Sequence, residues 1–150
     1  MKAIADDKML ETYRGTVYPW QCDHMGHMNV MWYTGKFDEA SWNLLALMGL
    51  STRALREQGS AMVAVEQHLQ YKKELFAGDV VRIDSRVLEV GAKSIRFVHE
   101  MRDGVTGELC ATSELVGVHI DAQARKSRPL PEATAARARE LLGNPELAAR

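Results

Sequence analysis

The chain has 150 residues, 46% of them hydrophobic and 26% charged, with a formal net charge of −1. That size suits one domain with its own core, and the balanced charge excludes a global field for nucleic acid or an anionic membrane. Two cysteines, Cys22 and Cys110, make no disulfide framework, no run is long and apolar enough to span a bilayer, and Asp6 and Asp7 break the start where a leader needs an apolar stretch, so a reduced cytoplasm is the expected location.

Residues 1–12 are polar and read as a loosely ordered tail. A first strand is expected in "YRGTVYPW", with Tyr13, Thr16, Val17 and Tyr18 supplying β-branched and aromatic side chains until Pro19 ends it. A helix is predicted over residues 30–48, because Val30, Tyr33, Phe37, Ala40, Leu44, Leu47 and Met48 repeat at helical spacing. Asn29 suits its N-cap and Gly49 its C-terminal stop. Gly35 costs the helix something, in keeping with a close approach of backbone or ligand, and Trp32 and Trp42 widen the apolar stripe, so most sides of the helix are expected to be covered.

After a polar link the period changes to two. Val63, Val65, Gln67, Leu69 and Tyr71 alternate in the next segment; Val81, Ile83 and Val87 share a face in the one after. Ile95, Phe97, His99 and Met101 alternate in a fourth strand, and "ELCATSELVGVHI" is a long last one. The turns between them hold glycine, so these four strands are expected as an antiparallel meander. The tail reads as a short helix, with Pro131 in its first turn and Gly143 and Pro145 at its end; residues 144–150 are taken as loose. One apolar helix and one twisted antiparallel sheet can bury each other, which makes an α+β domain.

This order resembles the hotdog fold, a long central helix wrapped by a five-stranded antiparallel sheet, here with a short C-terminal helix. The segment "CDHMGHMNVMWYTGKFDEA" is similar to the front segment of the 4-hydroxybenzoyl-CoA thioesterase family of that fold, and "YKKELFAGDVVRI", with Gly78 and Asp79 opening a strand, resembles its second hairpin. The resemblance covers about residues 13–128, the core of a single domain over 1–150. It implies a thioester hydrolase acting on acyl-CoA or an acyl-carrier-protein thioester, as a homodimer or tetramer of dimers with sites between subunits. It also implies that Asp23 is the catalytic carboxylate and that the backbone N–H near Val30 polarises the thioester carbonyl. Where the aromatic-specific bacterial members have Asp-Pro-Ala-Gly, this chain has "DHMG", so the resemblance reaches thioester chemistry and not the hydroxybenzoyl group.

The residue types fit that chemistry. Asp23 can act as general base or as a nucleophile forming an anhydride. Unpaired N–H groups at the helix start, at Val30 and Met31, can hold an oxyanion. Met25, Met28, Met31 and Trp32 can form an adaptable apolar slot. His27 could orient Asp23 or a water, or only satisfy backbone groups; Asn29 could bind the water or only cap. His24 is expected to point away from Asp23, and Cys22 beside a carboxylate makes a poor nucleophile. Glu66, with His68 on the same strand, is the alternative carboxylate. Lys93, Lys126 and Arg128 are the candidate partners for CoA phosphates. Cys22, Asp23, His24 and His27 could in principle share an ion, but there is no second paired cluster and no "HExxH", so no metal is assigned, and no cofactor is expected because CoA belongs to the substrate. The alternatives are a hotdog hydratase or dehydratase, against which the absence of histidine from the central helix counts, and a non-catalytic acyl-CoA-binding protein. A purely structural loop with no ligand completes the set.

Overall fold

The computed structural model describes residues 9–142. Its elements are β1 (Leu10–Thr16), a 3-10 turn (Pro19–Gln21), α1 (Val30–Leu47), α2 (Thr52–Glu57), β2 (Ser60–Tyr71), β3 (Val80–Val90), β4 (Ser94–Asp103), β5 (Leu109–Asp121) and α3 (Glu132–Glu140). The five strands form one antiparallel sheet in the order β1-β3-β4-β5-β2, with α1 packed on one face: the hotdog arrangement.

Alternation in the strands supplies the core. Val81, Ile83 and Val87 from β3 and Ile95, Phe97 and Met101 from β4 are all essentially inaccessible to solvent. They meet Tyr33, Phe37, Ala40, Leu44 and Leu45 of α1. Asn29 caps α1 as expected, its side chain accepting from the Met31 N–H. Gly49, at φ +84°, ends the helix, a conformation that costs glycine no Cβ clash.

Several expectations are corrected. The first strand starts at Leu10, so residues 10–12 are not loose: Leu10 and Glu11 pair with β3, and Thr12, at a bulge, is buried with its hydroxyl against Ile83 O and the Ser85 hydroxyl. The polar link after α1 contains α2, capped by Ser51 and held by buried Leu55. The meander excludes β2, which pairs with β5 at the far edge while β1 takes the place beside β3. The glycine in "FAGD" serves a crossover instead of a hairpin. Lys72 and Lys73 donate their N–H groups to Cys110 O, Met28 donates to Leu75 O, and Gly78 donates to Val17 O. Leu75 is buried, which pins the crossing segment to the core.

In β2 a bulge at Val65 shifts the register, so Val63, opposite Val118, and Gln67, opposite Leu115, lie on different faces. Finally, α1 is not covered on most sides in the single chain: Val30, Met31, Trp42 and Leu47 are exposed. Pro131 takes the N-cap position of α3, one residue ahead of its first turn. The expected tails 1–8 and 144–150, and the helix stop at Gly143 and Pro145, lie outside the described residues.

Candidate active site

Asp23 opens a tight turn in which Gly26, at φ +88°, donates its N–H to Asp23 O at 3.0 Å, and the Asp23 N–H donates to His27 O at 3.0 Å. One carboxylate oxygen accepts from the Met25 N–H at 2.9 Å and the other from Asn29 Nδ2 at 3.3 Å. Asn29 faces both ways. Its amide oxygen accepts from the Met31 N–H at 2.9 Å while its amide nitrogen reaches Asp23. A backbone N–H can only donate, which fixes the orientation of the amide. One side chain thereby ties the carboxylate to the first turn of α1.

The cap also sorts the N–H groups of that turn. Met31 is occupied by Asn29 Oδ1 and Trp32 by Asn29 O, whereas the Val30 N–H has no acceptor among the described residues. Val30 lines a groove of about 360 Å³ with Tyr33, Tyr71, His27 and Glu74. The two tyrosine rings meet edge to face at 5.2 Å, and the Tyr33 hydroxyl donates to Lys73 O at 3.3 Å. Burial pushes the Tyr33 hydroxyl up to about 12, so it remains a neutral donor near pH 7.

The other expected site residues divide. His27 turns from Asp23 toward Glu74, with Nε2 at 3.7 Å from Oε1, and Nδ1 at 3.4 Å from Met28 O. His24 is exposed. Met28 is buried in the core and reaches the groove, Trp32 packs against the same core cluster, and Met25 and Met31 are both more than 60% exposed. Glu66 and His68 are exposed; they pair with Val116 and Glu114, on the sheet face opposite to that of Gln67 and Leu115. Among the described residues no three histidine, cysteine, aspartate or glutamate side chains converge on a point that could hold a metal ion.

Lys93, Lys126 and Arg128 are not brought to Asp23 in the single chain. Their backbones bond the end of β5, at His119 and Asp121, and Arg128 also pairs with Asp121 and Gln58 O. The crossover bonds the beginning of β5, at Cys110, and the Asp23 loop bonds the crossover, Met28 donating to Leu75 O. Nine strand residues separate those ends, roughly 30 Å. A larger cavity of about 520 Å³ lies beside the Arg82–Asp84 and Arg102–Glu100 pairs, far in chemistry from any attack on a carbonyl.

The groove walls Tyr33, Tyr71 and Glu74 were missed from sequence. Tyr33 stood three residues after Val30, on the adjoining helical face, and could have been found. Tyr71, the last residue of β2, and Glu74, in the crossover that follows it, could not, because that segment was read as leading into a hairpin.

The thioesterase-like superfamily model matches residues 17–138 of this chain. The chain belongs to that superfamily. Two curated relatives show its spread. A Rhizobium meliloti (strain 1021) L-carnitine dehydrogenase/betainyl-CoA thioesterase is 32% identical over 73% of this chain, which spans only 22% of that protein. A Pseudomonas aeruginosa betainyl-CoA thioesterase is 26% identical over 89% of this chain and 84% of its own length. Among solved structures, Staphylococcus aureus SAV2348, determined in complex with CoA, matches with a TM-score of 0.83 at 21% identity, covering 94% of this chain and 87% of that one. That last likeness bears on the fold. No helix among the described residues of this superfamily member is long and apolar enough to cross a membrane.

Proposed function

We propose that the protein hydrolyses acyl-CoA thioesters. The carrying observation is the open Val30 N–H next to a carboxylate that Asn29 ties to the same helical turn. The Val30 N–H, backed by the helix dipole, holds the carbonyl oxygen as negative charge develops there. Asp23 either takes a proton from the water that attacks the carbonyl carbon or attacks it directly and forms an anhydride that water then opens. In both routes a C–O bond forms, the C–S bond breaks, and the thiolate leaves as CoA once protonated. The groove beside Val30, walled by Tyr33 and Tyr71, gives the thioester access to that N–H. No resident cofactor is required. The thioesterase activities for which the relatives are named and the CoA complex of the Staphylococcus aureus neighbour support this reading.

A second copy completes the site in this reading. β2 is an edge strand with Val65 61% exposed, and the adjoining face of α1 exposes Val30, Met31 and Trp42, a combination that invites strand pairing and apolar burial. Antiparallel pairing of β2 with its copy reverses the ends of the sheet. It would carry Lys93, Lys126 and Arg128 of one copy toward the Asp23 end of the other, where CoA phosphates could meet them. Against the hydratase alternative, His99, which faces α1 from β4, is fully buried and bonded at both ring nitrogens, to Ser85 and Ser41. Free-thiol release from a panel of acyl-CoAs tests the proposal. Release supports it; enoyl hydration or binding without release overturns it.

A further inference from the structure

A separate cavity of about 170 Å³ opens between α1 and β2, with Asp38, Trp42, Met62, Phe97, Leu115 and Gly117 among its walls. Asp38 is its one charged lining residue. The Asp38 carboxylate has no hydrogen bond or ion pair among the described residues, and the helical neighbours three and four places away, Thr34, Gly35, Ser41 and Trp42, include no cation. An unpaired carboxylate beside an indole, over walls that are apolar except for Ser41, whose hydroxyl is already bonded to Phe37 O and His99, suits a quaternary ammonium: Coulomb attraction from one side, an aromatic ring from another, and no demand for hydrogen bonds. The groove beside Val30 differs, since Lys72, Lys73 and His27 line it with Glu74. The volume lies below the about 300 Å³ at which ordinary ligand pockets begin, so it suits a compact branched head and not a long chain or fused rings.

We infer that this cavity receives the cationic head of a small quaternary-ammonium acyl group, with Asp38 and Trp42 as its specificity residues. The inference rests on the thioesterase reading. It also says which chain supplies the cavity. Asp38 lies eight residues beyond Val30, about 12 Å along the helix. A head one methylene from its carbonyl cannot span that distance, so the cavity serves a thioester held at the Val30 N–H of a second copy. Gly35 gives the place where two copies of α1 can cross. It is exposed, and a Cβ built there meets no atom within 4 Å, so nothing in the single chain calls for glycine inside an 18-residue helix. Antiparallel helices crossing there bring Asp38 of one copy within about a turn of Met31 and Val30 of the other.

The test uses two thioesters of one shape, betainyl-CoA and its neutral carbon isostere 3,3-dimethylbutyryl-CoA, with thiol release as the readout. The wild-type protein is expected to favour the cationic ester. Asp38→Asn is expected to cut the ratio of kcat/KM between the two esters about 10-fold, mainly through KM on the cation, and Trp42→Leu is expected to lower it as well. Tetramethylammonium chloride should quench Trp42 fluorescence in the wild-type protein and not in Trp42→Phe. An unchanged ratio in a folded Asp38→Asn protein overturns the inference. So does an equal collapse of kcat on both esters, which would make Asp38 part of the chemistry. If the wild-type protein hydrolyses other acyl-CoAs without preferring the cation, the inference fails and the thioesterase reading stands. If no acyl-CoA is hydrolysed, that reading fails, and absence of the tetramethylammonium signal then removes the cavity assignment too.

Discussion

Asn29 is the residue on which site and stability meet. Asn29→Ala removes the cap and the Asp23 contact together, so about 1 kcal/mol of stability should go, with a fall of roughly 2–4 °C in the melting temperature. Turnover should fall too. Asn29→Asp keeps an acceptor for the Met31 N–H but sets a second carboxylate against Asp23. It should hold the melting temperature near wild type and still lose activity; calorimetry with thiol-release kinetics on both variants checks the separation. At this scale the sequence was readable where roles are local. Asp23 before a capped helix, with N–H groups at its start, follows from spacing along the chain. That the cap occupies Met31 and leaves Val30 open does not, because it depends on which way one amide turns. Nor could the letters say that His27 would face Glu74, since Glu74 arrives through the crossover.

Among the elements, the layer between α1, β1, β3 and β4 carries a buried polar chain. His99, fully buried, has Nδ1 against the Ser85 hydroxyl and Nε2 at 2.8 Å from the Ser41 hydroxyl, while Ser85 also meets Thr12 at 2.7 Å. Phe37 and Phe97 pack on its ring. Burial holds the imidazole at about 3 against its ordinary 6.5. Because the folded value is depressed, the unfolded chain binds the extra proton between those limits. Stability contributed by neutral His99 is full above about pH 6.5 and is lost as pH falls toward 3, at up to roughly 1.4 kcal/mol per pH unit. Urea midpoints from pH 7 to pH 4 should drop for the wild type and drop less steeply for His99→Gln, which is destabilised at neutral pH; parallel slopes would refute the role. The alternation that places His99 inward was visible in the sequence. Its partners were not, because Thr12 looked like part of a polar tail and Ser85 like a break in an apolar face. Local glycine turns likewise predicted β2 beside β3. Strand order is set by non-local pairing and by the crossover that buries Leu75, and Leu75→Ala should therefore cost about 2–5 kcal/mol in chemical denaturation.

For the whole molecule, the helix wrapped by five strands was legible because one apolar stripe and four alternating segments leave few ways to bury both. The exposed stripe of α1 and the open edge of β2 were not, since apolar letters do not say whether the same chain or another copy covers them. A dimer of the 16.8 kDa chain is expected in sedimentation, and Val65→Glu at the β2 edge should shift it toward monomer with activity falling in step. A stable and fully active monomer would exclude a shared site. The most direct measurement on the catalytic assignment is thiol release by Asp23→Asn, with circular dichroism and sedimentation matched to wild type. A loss of about 10²–10⁴-fold in kcat on the best acyl-CoA, with fold and assembly intact, is the expected result; full turnover by that folded variant would contradict Asp23 as the group that attacks or activates water.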